Sequence, residues 1–95
     1  MNDGTAYFAL PPVMTMEDAE RLHAFLLAAR GKAIDIDCSA VERLNGLTAQ
    51  MIVMACGLWH RNAQQATILH PSARFTEGLA LLGLSDILSS KQVTA

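Results

Sequence analysis

The stretch that decides the fold is AIDIDCSAVERLNGLTAQMIVMACGLW, residues 33 to 59. Its Asn45-Gly46 pair, with apolar residues on both sides, is by itself a strong signal for a β-hairpin turn. A hairpin needs a second alternating strand, but the residues from Leu47 onward form an apolar run that is too long for a strand and fits a largely buried helix. Residues 33 to 37 alternate between apolar and acidic, as a half-exposed strand does. The sequence therefore predicts a strand, a loop and a helix, with Asn45-Gly46 at the helix start.

The residues before this stretch predict a strand and a helix. Residues 7 to 10 are short and apolar, and Pro11-Pro12 ends them, which is typical of an edge strand. Thr15 is followed three positions later by Asp18, as in the capping box of a helix start. Gly31 supplies the C-terminal stop of that helix.

The residues after it repeat the pattern. ATILH, residues 66 to 70, is rich in β-branched residues and predicts a strand. Pro71-Ser72 then starts a third helix that ends at Gly83, and Leu84 is placed for the hydrophobic contact of a Schellman cap. A strand followed by a helix occurs three times along the chain. This order predicts an α/β fold in which neighbouring parallel strands are joined by right-handed crossovers. Sites in such sheets lie at the carboxyl ends of the strands, where Asn45-Gly46 falls.

Composition limits the function classes. The 95 residues make one domain, residues 1–95, with flexible ends expected at 1–5 and 90–95. The net charge of −2 comes from scattered charges, so no basic stripe is available for nucleic acid. No apolar run is long enough for membrane insertion, and the N-terminal residues lack the basic start of a signal peptide, so a cytoplasmic location is expected. Cys38 and Cys56 are interpreted as reduced, buried side chains.

Catalytic and metal sites find little support in the sequence. Ser39 lacks the glycines of a nucleophile elbow and is interpreted as a turn residue. Asp35 and Asp37 share one strand face, where alternation explains them as solvated. Cys56 and His60 have the i, i+4 spacing of metal ligands, but no second pair at ligand spacing exists. The sequence predicts no enzyme, no metal and no cofactor, and it interprets the methionines of the second helix as core filler.

The order and spacing of several short motifs resemble the STAS domain, the fold of anti-sigma factor antagonists. That family has an apolar strand ending in Asp, then Asp-Ser-x-Gly-Leu at the start of a long helix, then a strand ending near Pro-Ser and a helix closed by Gly-Leu. Asp37, the helix from Leu47, Pro71-Ser72 and Gly83-Leu84 match this pattern without a gap, over residues 6 to 90. The resemblance implies a small mixed, mainly parallel sheet with helices packed on it, and more than one strand before the first helix.

The resemblance also implies a switch that this chain lacks. In the family, a partner kinase phosphorylates the serine of Asp-Ser-x-Gly, and on this sequence those positions are Asn45, Gly46, Leu47 and Thr48. Gly46 stands at the phospho-acceptor position and has no hydroxyl. Placing Gly46-Leu47 on the family's Gly-Leu instead would delete two residues and break the spacing to Gly83. Thr48 is left as an unorthodox acceptor or, preferably, as a capping residue.

The resemblance implies a stand-alone interaction module of bacterial signalling that binds a regulatory kinase or an anti-sigma factor, without phosphorylation at the usual serine. A chemotaxis histidine kinase and a lipid-transport ATPase complex are alternative partners, a small-ligand-binding domain is an alternative class, and a homodimer is left open. The expected docking face combines the loop after the second strand with an exposed helix start. Its residues are Ser39, Glu42, Arg43, Leu44, Asn45, Gly46, Leu47, Thr48 and Gln50.

Overall fold

Strands and helices alternate along the chain in the predicted order. The computed structural model of the protein describes residues 4–89 and 93–94. The strands are β1 (Thr5–Ala9), β2 (Ala33–Asp37), β3 (Ala66–Leu69) and β4 (Val93–Thr94), and the helices are α1 (Met16–Ala28), α2 (Gly46–Arg61) and α3 (Ala73–Leu81), with a 3-10 helix at Ser85–Ser89.

Parts of the ends that we predict to be flexible belong to strands, and their flexibility stays a prediction. Thr5 belongs to β1, and Val93–Thr94 pairs with β3 as β4. Residues 1–3, 90–92 and 95, which the same expectation covered, lie outside the described part of the chain.

The strands form one sheet in the order β1-β2-β3-β4, and each of the three pairings is parallel. The α/β class with a mainly parallel sheet is therefore confirmed, with β1 at the edge as predicted. One strand precedes α1 within residues 4–15, where the family resemblance implied more than one. Leu22 of α1, Ile52 of α2 and Phe75 of α3 share one core cluster with the buried side chains of β2, so the three helices pack on the same face of the sheet. Right-handed crossovers between sequential parallel neighbours would produce this arrangement.

The two faces of the sheet differ accordingly. On β2, Ile34 and Ile36 are buried beneath the helices, whereas Asp35 and Asp37 lie half-buried on the opposite face. Phe75 from α3 and Leu22 from α1 are fully enclosed in the same core. The alternation of residues 33 to 37 thus separates the helix-covered face from the open one.

Short polar side chains begin all three α-helices. Thr15 and Asp18 form the predicted capping box of α1, with the Asp18 N–H 3.1 Å from Thr15 Oγ1 and the Thr15 N–H 3.0 Å from Asp18 Oδ2. Asn45 caps α2 and Ser72 caps α3. The three helix starts follow the carboxyl ends of β1, β2 and β3, so this end of the sheet collects them.

The predicted end of α3 is confirmed. Gly83 has a φ of +74°, and the N–H groups of Gly83 and Leu84 donate to the carbonyls of Ala80 and Leu79 at 3.1 and 2.8 Å. These are the two bonds of a Schellman motif. Leu84 also packs against the core, which supplies the expected hydrophobic contact. Among the described helices, none is long and apolar enough to cross a membrane.

The buried face of α2 differs from the prediction. Met54, interpreted from sequence as core filler, is 69% exposed, and Leu47 and Leu58 are exposed as well. Trp59 turns inward instead, and its indole Nε1 donates a 2.6 Å hydrogen bond to the carbonyl of Lys32. The inward face consists of smaller side chains around Ile52, which suit close packing on the sheet: Thr48, Ala49, Ile52, Ala55, Cys56 and Trp59.

Candidate functional site

Backbone hydrogen bonds join the first two loops at the carboxyl end of the sheet. The N–H groups of Glu42 and Arg43 both donate to the carbonyl of Pro12, at 2.9 and 3.1 Å. Val13 and Arg43 also form an isolated parallel bridge. The loop after β1 therefore supports the loop after β2 at Glu42 and Arg43, and it holds these two exposed side chains on a defined backbone.

Ser72 ties the third loop to the second. Its backbone N–H donates to the carbonyl of Cys38 at 3.2 Å, and its hydroxyl donates to the carbonyl of Val41 at 2.7 Å. The same hydroxyl oxygen accepts the Phe75 N–H at 3.0 Å as the cap of α3. One serine thus satisfies a helix end and a loop carbonyl together.

Asp37 ends β2 in a hydrogen-bonded setting. Its carboxylate accepts the Tyr7 hydroxyl at 2.5 Å and the Ser39 N–H at 2.9 Å. These bonds favour the ionised form, so they lower the pKa of Asp37 to about 2, with the Tyr7 bond as the largest cause. A carboxylate held ionised in this way orders the loop and is unsuited to acid catalysis.

Asn45 and Gly46 form the start of α2, as predicted. Asn45 has extended backbone angles, and its Oδ1 accepts the Thr48 N–H at 2.8 Å. Gly46 is the first helical residue, and a Cβ placed on it would meet no atom within 4 Å. The position that the resemblance assigns to phosphorylation is therefore exposed, unobstructed and at the positive end of a 16-residue helix.

Thr48 does not have the predicted role. The sequence predicts that its hydroxyl caps the helix and that its side chain lies on an exposed helix start, and both predictions are wrong. Asn45 is the cap, and Thr48 is 1% exposed, because its position in the first turn faces the core. Its Oγ1 is buried and finds no hydrogen-bond partner among the described residues. In this conformation Thr48 reaches neither a kinase nor a partner.

The other predicted docking residues lie together at the start of α2 and in the loop before it. Leu44 is half-buried because it packs against α3, where a Cβ on Gly78 would lie only 2.8 Å from the Leu44 Cβ. Leu47 is 53% exposed and is the more accessible apolar side chain of the two. The remaining docking residues are exposed: Ser39, Glu42, Arg43, Asn45, Gly46 and Gln50.

Sequence reasoning missed two residues of this surface. Val13, from the loop after β1, and Arg74, from the first turn of α3, join Glu42 and Arg43 around an open cavity of about 490 Å³. Arg74 lies 3.8 Å from Glu77, and both side chains are largely exposed. Val13 and Arg74 are 61 positions apart and match no local motif, so only the pairing of the loops could have revealed them.

The cysteines are structural. Cys38 and Cys56 are both buried thiols, and burial raises their pKa values to about 12 and about 11. Both are therefore protonated at neutral pH and poor nucleophiles. Cys56 faces the core while His60, its suggested metal-binding neighbour, is exposed. Within the part of the chain that the structure describes, no cluster of three metal-ligating side chains is present.

Comparison with known proteins assigns the family. A family model described as "Mlab, STAS domain" matches residues 3–89, which is nearly the whole chain. No curated protein and no solved structure matches it significantly. STAS domains are generally non-enzymatic interaction modules of the anti-sigma factor antagonist type. The family match and the strand-to-helix site together establish that this chain belongs to the STAS domain family.

Proposed function

We propose that this protein is an interaction module of bacterial signalling that binds a regulatory kinase or anti-sigma factor in the cytoplasm, without phosphorylation at the usual position. The observation that carries the proposal is Gly46, an exposed residue in the first turn of α2. It stands where the resemblance places a phosphorylated serine, next to the exposed residues Asn45 and Leu47. The proposed role is docking rather than catalysis.

The proposed docking surface consists of Ser39, Glu42, Arg43, Asn45, Gly46, Leu47 and Gln50, with the exposed part of Leu44 and with Val13 and Arg74 beside Glu42 and Arg43. Exposed Leu47 supplies an apolar centre, and Glu42 and Arg43 supply charges of opposite sign at the rim. Rim charges of this kind set orientation and specificity more than affinity. The hydrogen bonds to Pro12 hold their backbone in place, so little ordering would accompany binding.

A charge at position 46 tests this surface. Gly46→Asp places a negative charge where relatives carry phosphate, and the helix start tolerates an acidic side chain. We expect the variant to fold and to lose the partner in a pull-down from native lysate. Ala24→Asp, which adds the same charge to an exposed position of α1, should retain the partner. Equal recovery by Gly46→Asp and the unmodified protein would show that this surface is wrong.

The identity of the captured protein separates the alternatives. Capture of a regulatory kinase or an anti-sigma factor would support the proposal. Capture of a chemotaxis kinase or of a lipid-transport ATPase subunit would change the proposed partner and leave the proposed docking surface as it is. Native mass spectrometry of freshly purified protein addresses a small-ligand function, since a bound mass would favour it.

The absence of a switch is tested separately. Incubation with ATP and the captured kinase should leave residues 45 to 48 unmodified, because Gly46 has no hydroxyl and Thr48 is buried. A phosphopeptide that maps to Thr48 would contradict this part of the proposal and would require α2 to open at its start.

A further inference from the structure

The outward face of α2 carries apolar side chains that the core does not use. Met51, Met54 and Leu58 have the spacing i, i+3, i+7, so they lie on one side of the helix. Met51 is half-buried, Met54 is 69% exposed and Leu58 is 39% exposed. Single exposed apolar residues are ordinary, but a continuous row on one helix face is characteristic of a binding surface.

Helix α1 turns this row into a groove. Leu26 and Leu27 face the row from the other side, and Leu27 is 54% exposed. The open cavity between the two helices has a volume of about 660 Å³. Gly57 also lines it, and the missing side chain leaves room, since a Cβ there would meet only Arg61 Nη1 at 3.6 Å. The groove is distinct from the docking surface around Gly46.

The charged side chains that line the groove are all basic. His23, Arg30 and Arg61 line it, and among the described residues no Asp or Glu does. Within residues 4–89 neither Arg30 nor Arg61 forms an ion pair, although the chain as a whole has a net charge of −2. This local excess of unpaired cations is complementary to an occupant with negative charges beside an apolar surface.

Shape and charge together select the occupant. A second copy of this chain docked through the same groove would bring its own arginines against these, which is unfavourable. A bilayer surface is broad, and it matches a protruding apolar face better than a groove between two helices. An amphipathic helix fits, because its apolar residues at i, i+3, i+4 and i+7 can enter the groove while flanking acidic residues meet the arginines. We infer that the α1–α2 groove docks an amphipathic helix of a protein partner that carries acidic residues beside its apolar face.

A designed peptide tests this inference in place of the natural partner. The probe is a fluorescein-labelled 18-residue helical peptide with Leu at i, i+3, i+4 and i+7 and Glu at the flanking positions, and its twin carries Lys in place of Glu. Fluorescence anisotropy at low salt should show saturable binding of the Glu peptide. The Lys twin should bind at least about tenfold more weakly, because it faces the cationic rim.

Two different substitutions test whether the peptide binds in the groove. Met54→Asp puts a charge into the groove, and Gly57→Leu fills the groove with a side chain that also favours the helix. Each should weaken the Glu peptide by about tenfold or more. Leu81→Asp is the matched control, since Leu81 is 88% exposed on α3 and does not line the groove. Circular dichroism of all three variants checks the fold, and either groove variant that folds is sufficient for the test.

Several results would overturn the inference. They are the absence of binding by the Glu peptide, equal binding of the Lys twin, and unchanged binding by a folded groove variant. Met54-dependent sedimentation with phosphatidylglycerol vesicles would instead assign the groove to a membrane, and a dimer that Met54→Asp dissociates would assign it to a second copy. The Gly46→Asp protein should still bind the Glu peptide, because Gly46 does not line the groove. The peptide test and the test of the docking surface around Gly46 can therefore fail independently.

Discussion

The hydroxyl of Ser72 donates a 2.7 Å hydrogen bond to the carbonyl oxygen of Val41, across 31 positions of sequence. The same oxygen caps α3 by accepting the Phe75 N–H. The start of α3 and the loop that carries the docking residues therefore depend on one side chain. This relationship gives the Pro-Ser pair after β3 a physical role in shaping the surface that follows β2.

Removal of this hydroxyl should weaken both elements. We expect Ser72→Ala to lower the free energy of unfolding by about 1–2 kcal/mol, because it removes a helix cap and leaves the Val41 carbonyl without its donor. Urea denaturation measures the loss. Ser72→Thr keeps the hydroxyl and should lose less. Hydrogen exchange should also become faster in the loop at residues 39 to 45, and an unchanged loop would mean that the bond to Val41 is dispensable.

Substitutions at Asn45, the cap of α2, should change the stability of the protein by different amounts. Asn45→Ala removes the acceptor of the Thr48 N–H and should cost about 1 kcal/mol of stability. Asn45→Asp keeps an acceptor and adds a negative charge at the positive helix end, so we expect it to match or exceed the unmodified protein by up to about 1 kcal/mol. Thermal unfolding ranks the three proteins. Equal stability of the Ala and Asn proteins would show that the cap contributes little.

The helix caps show what the sequence can predict. Thr15, Asn45 and Ser72 each act on a backbone N–H three residues further on, so a local pattern is enough to recognise them. The turn at Gly83 is equally local. The order of strands and helices then follows, and with it the parallel sheet and the position of Asn45-Gly46 at its carboxyl end.

The parts that sequence did not predict depend on tertiary contacts. Helix α2 is apolar on two faces, and periodicity alone does not say which one meets the sheet. The choice is made by contacts such as the Trp59 hydrogen bond to Lys32, which leaves Met54 outside and turns Thr48 inward. Val13 and Arg74 reach the docking surface from separate loops, and no short motif records such a convergence.

The hydrogen bond between Tyr7 and Asp37 should have a measurable effect on the acid titration of Asp37. The pKa of Asp37 lies near 2, below its ordinary value of 3.8, mainly because the Tyr7 hydroxyl donates to the ionised carboxylate. A lowered folded-state pKa contributes stability above pH 4, and this contribution is lost as the pH falls from about 4 through 2. Tyr7→Phe should raise the pKa of Asp37, as measured by carboxyl carbon NMR. An unchanged titration would assign the shift to the Ser39 bonds instead.

The same hydrogen bond should shift the pKa of Tyr7 upward, opposite to its effect on Asp37. The bond to Asp37 raises the pKa of Tyr7 above its usual value of 10.0, because the neutral hydroxyl is the donor. Asp37→Asn keeps an oxygen acceptor without the charge and should bring the tyrosine titration, followed by ultraviolet absorbance, closer to its ordinary range.

Two glycines within helices should respond to alanine with opposite signs. Gly57 has room for a Cβ, so Gly57→Ala should raise stability by about 0.5–1 kcal/mol through helix propensity. At Gly78 a Cβ would lie 2.8 Å from the Cβ of Leu44, an atom that moves only with its backbone. Overpacking of about 1–3 kcal/mol should exceed the propensity gain, so Gly78→Ala should be net destabilising.

A double-mutant cycle tests whether Leu44 is the cause of that loss. Leu44→Gly removes the clashing atom, so Gly78→Ala should be much less harmful in its presence, with a coupling of at least about 0.5 kcal/mol. Additive effects in chemical denaturation would show that the close approach of α3 to Leu44 relaxes freely. A strong coupling would mean that the glycine at 78 is what lets Leu44 pack down on α3, and that Leu47 is left as the main apolar side chain for a partner.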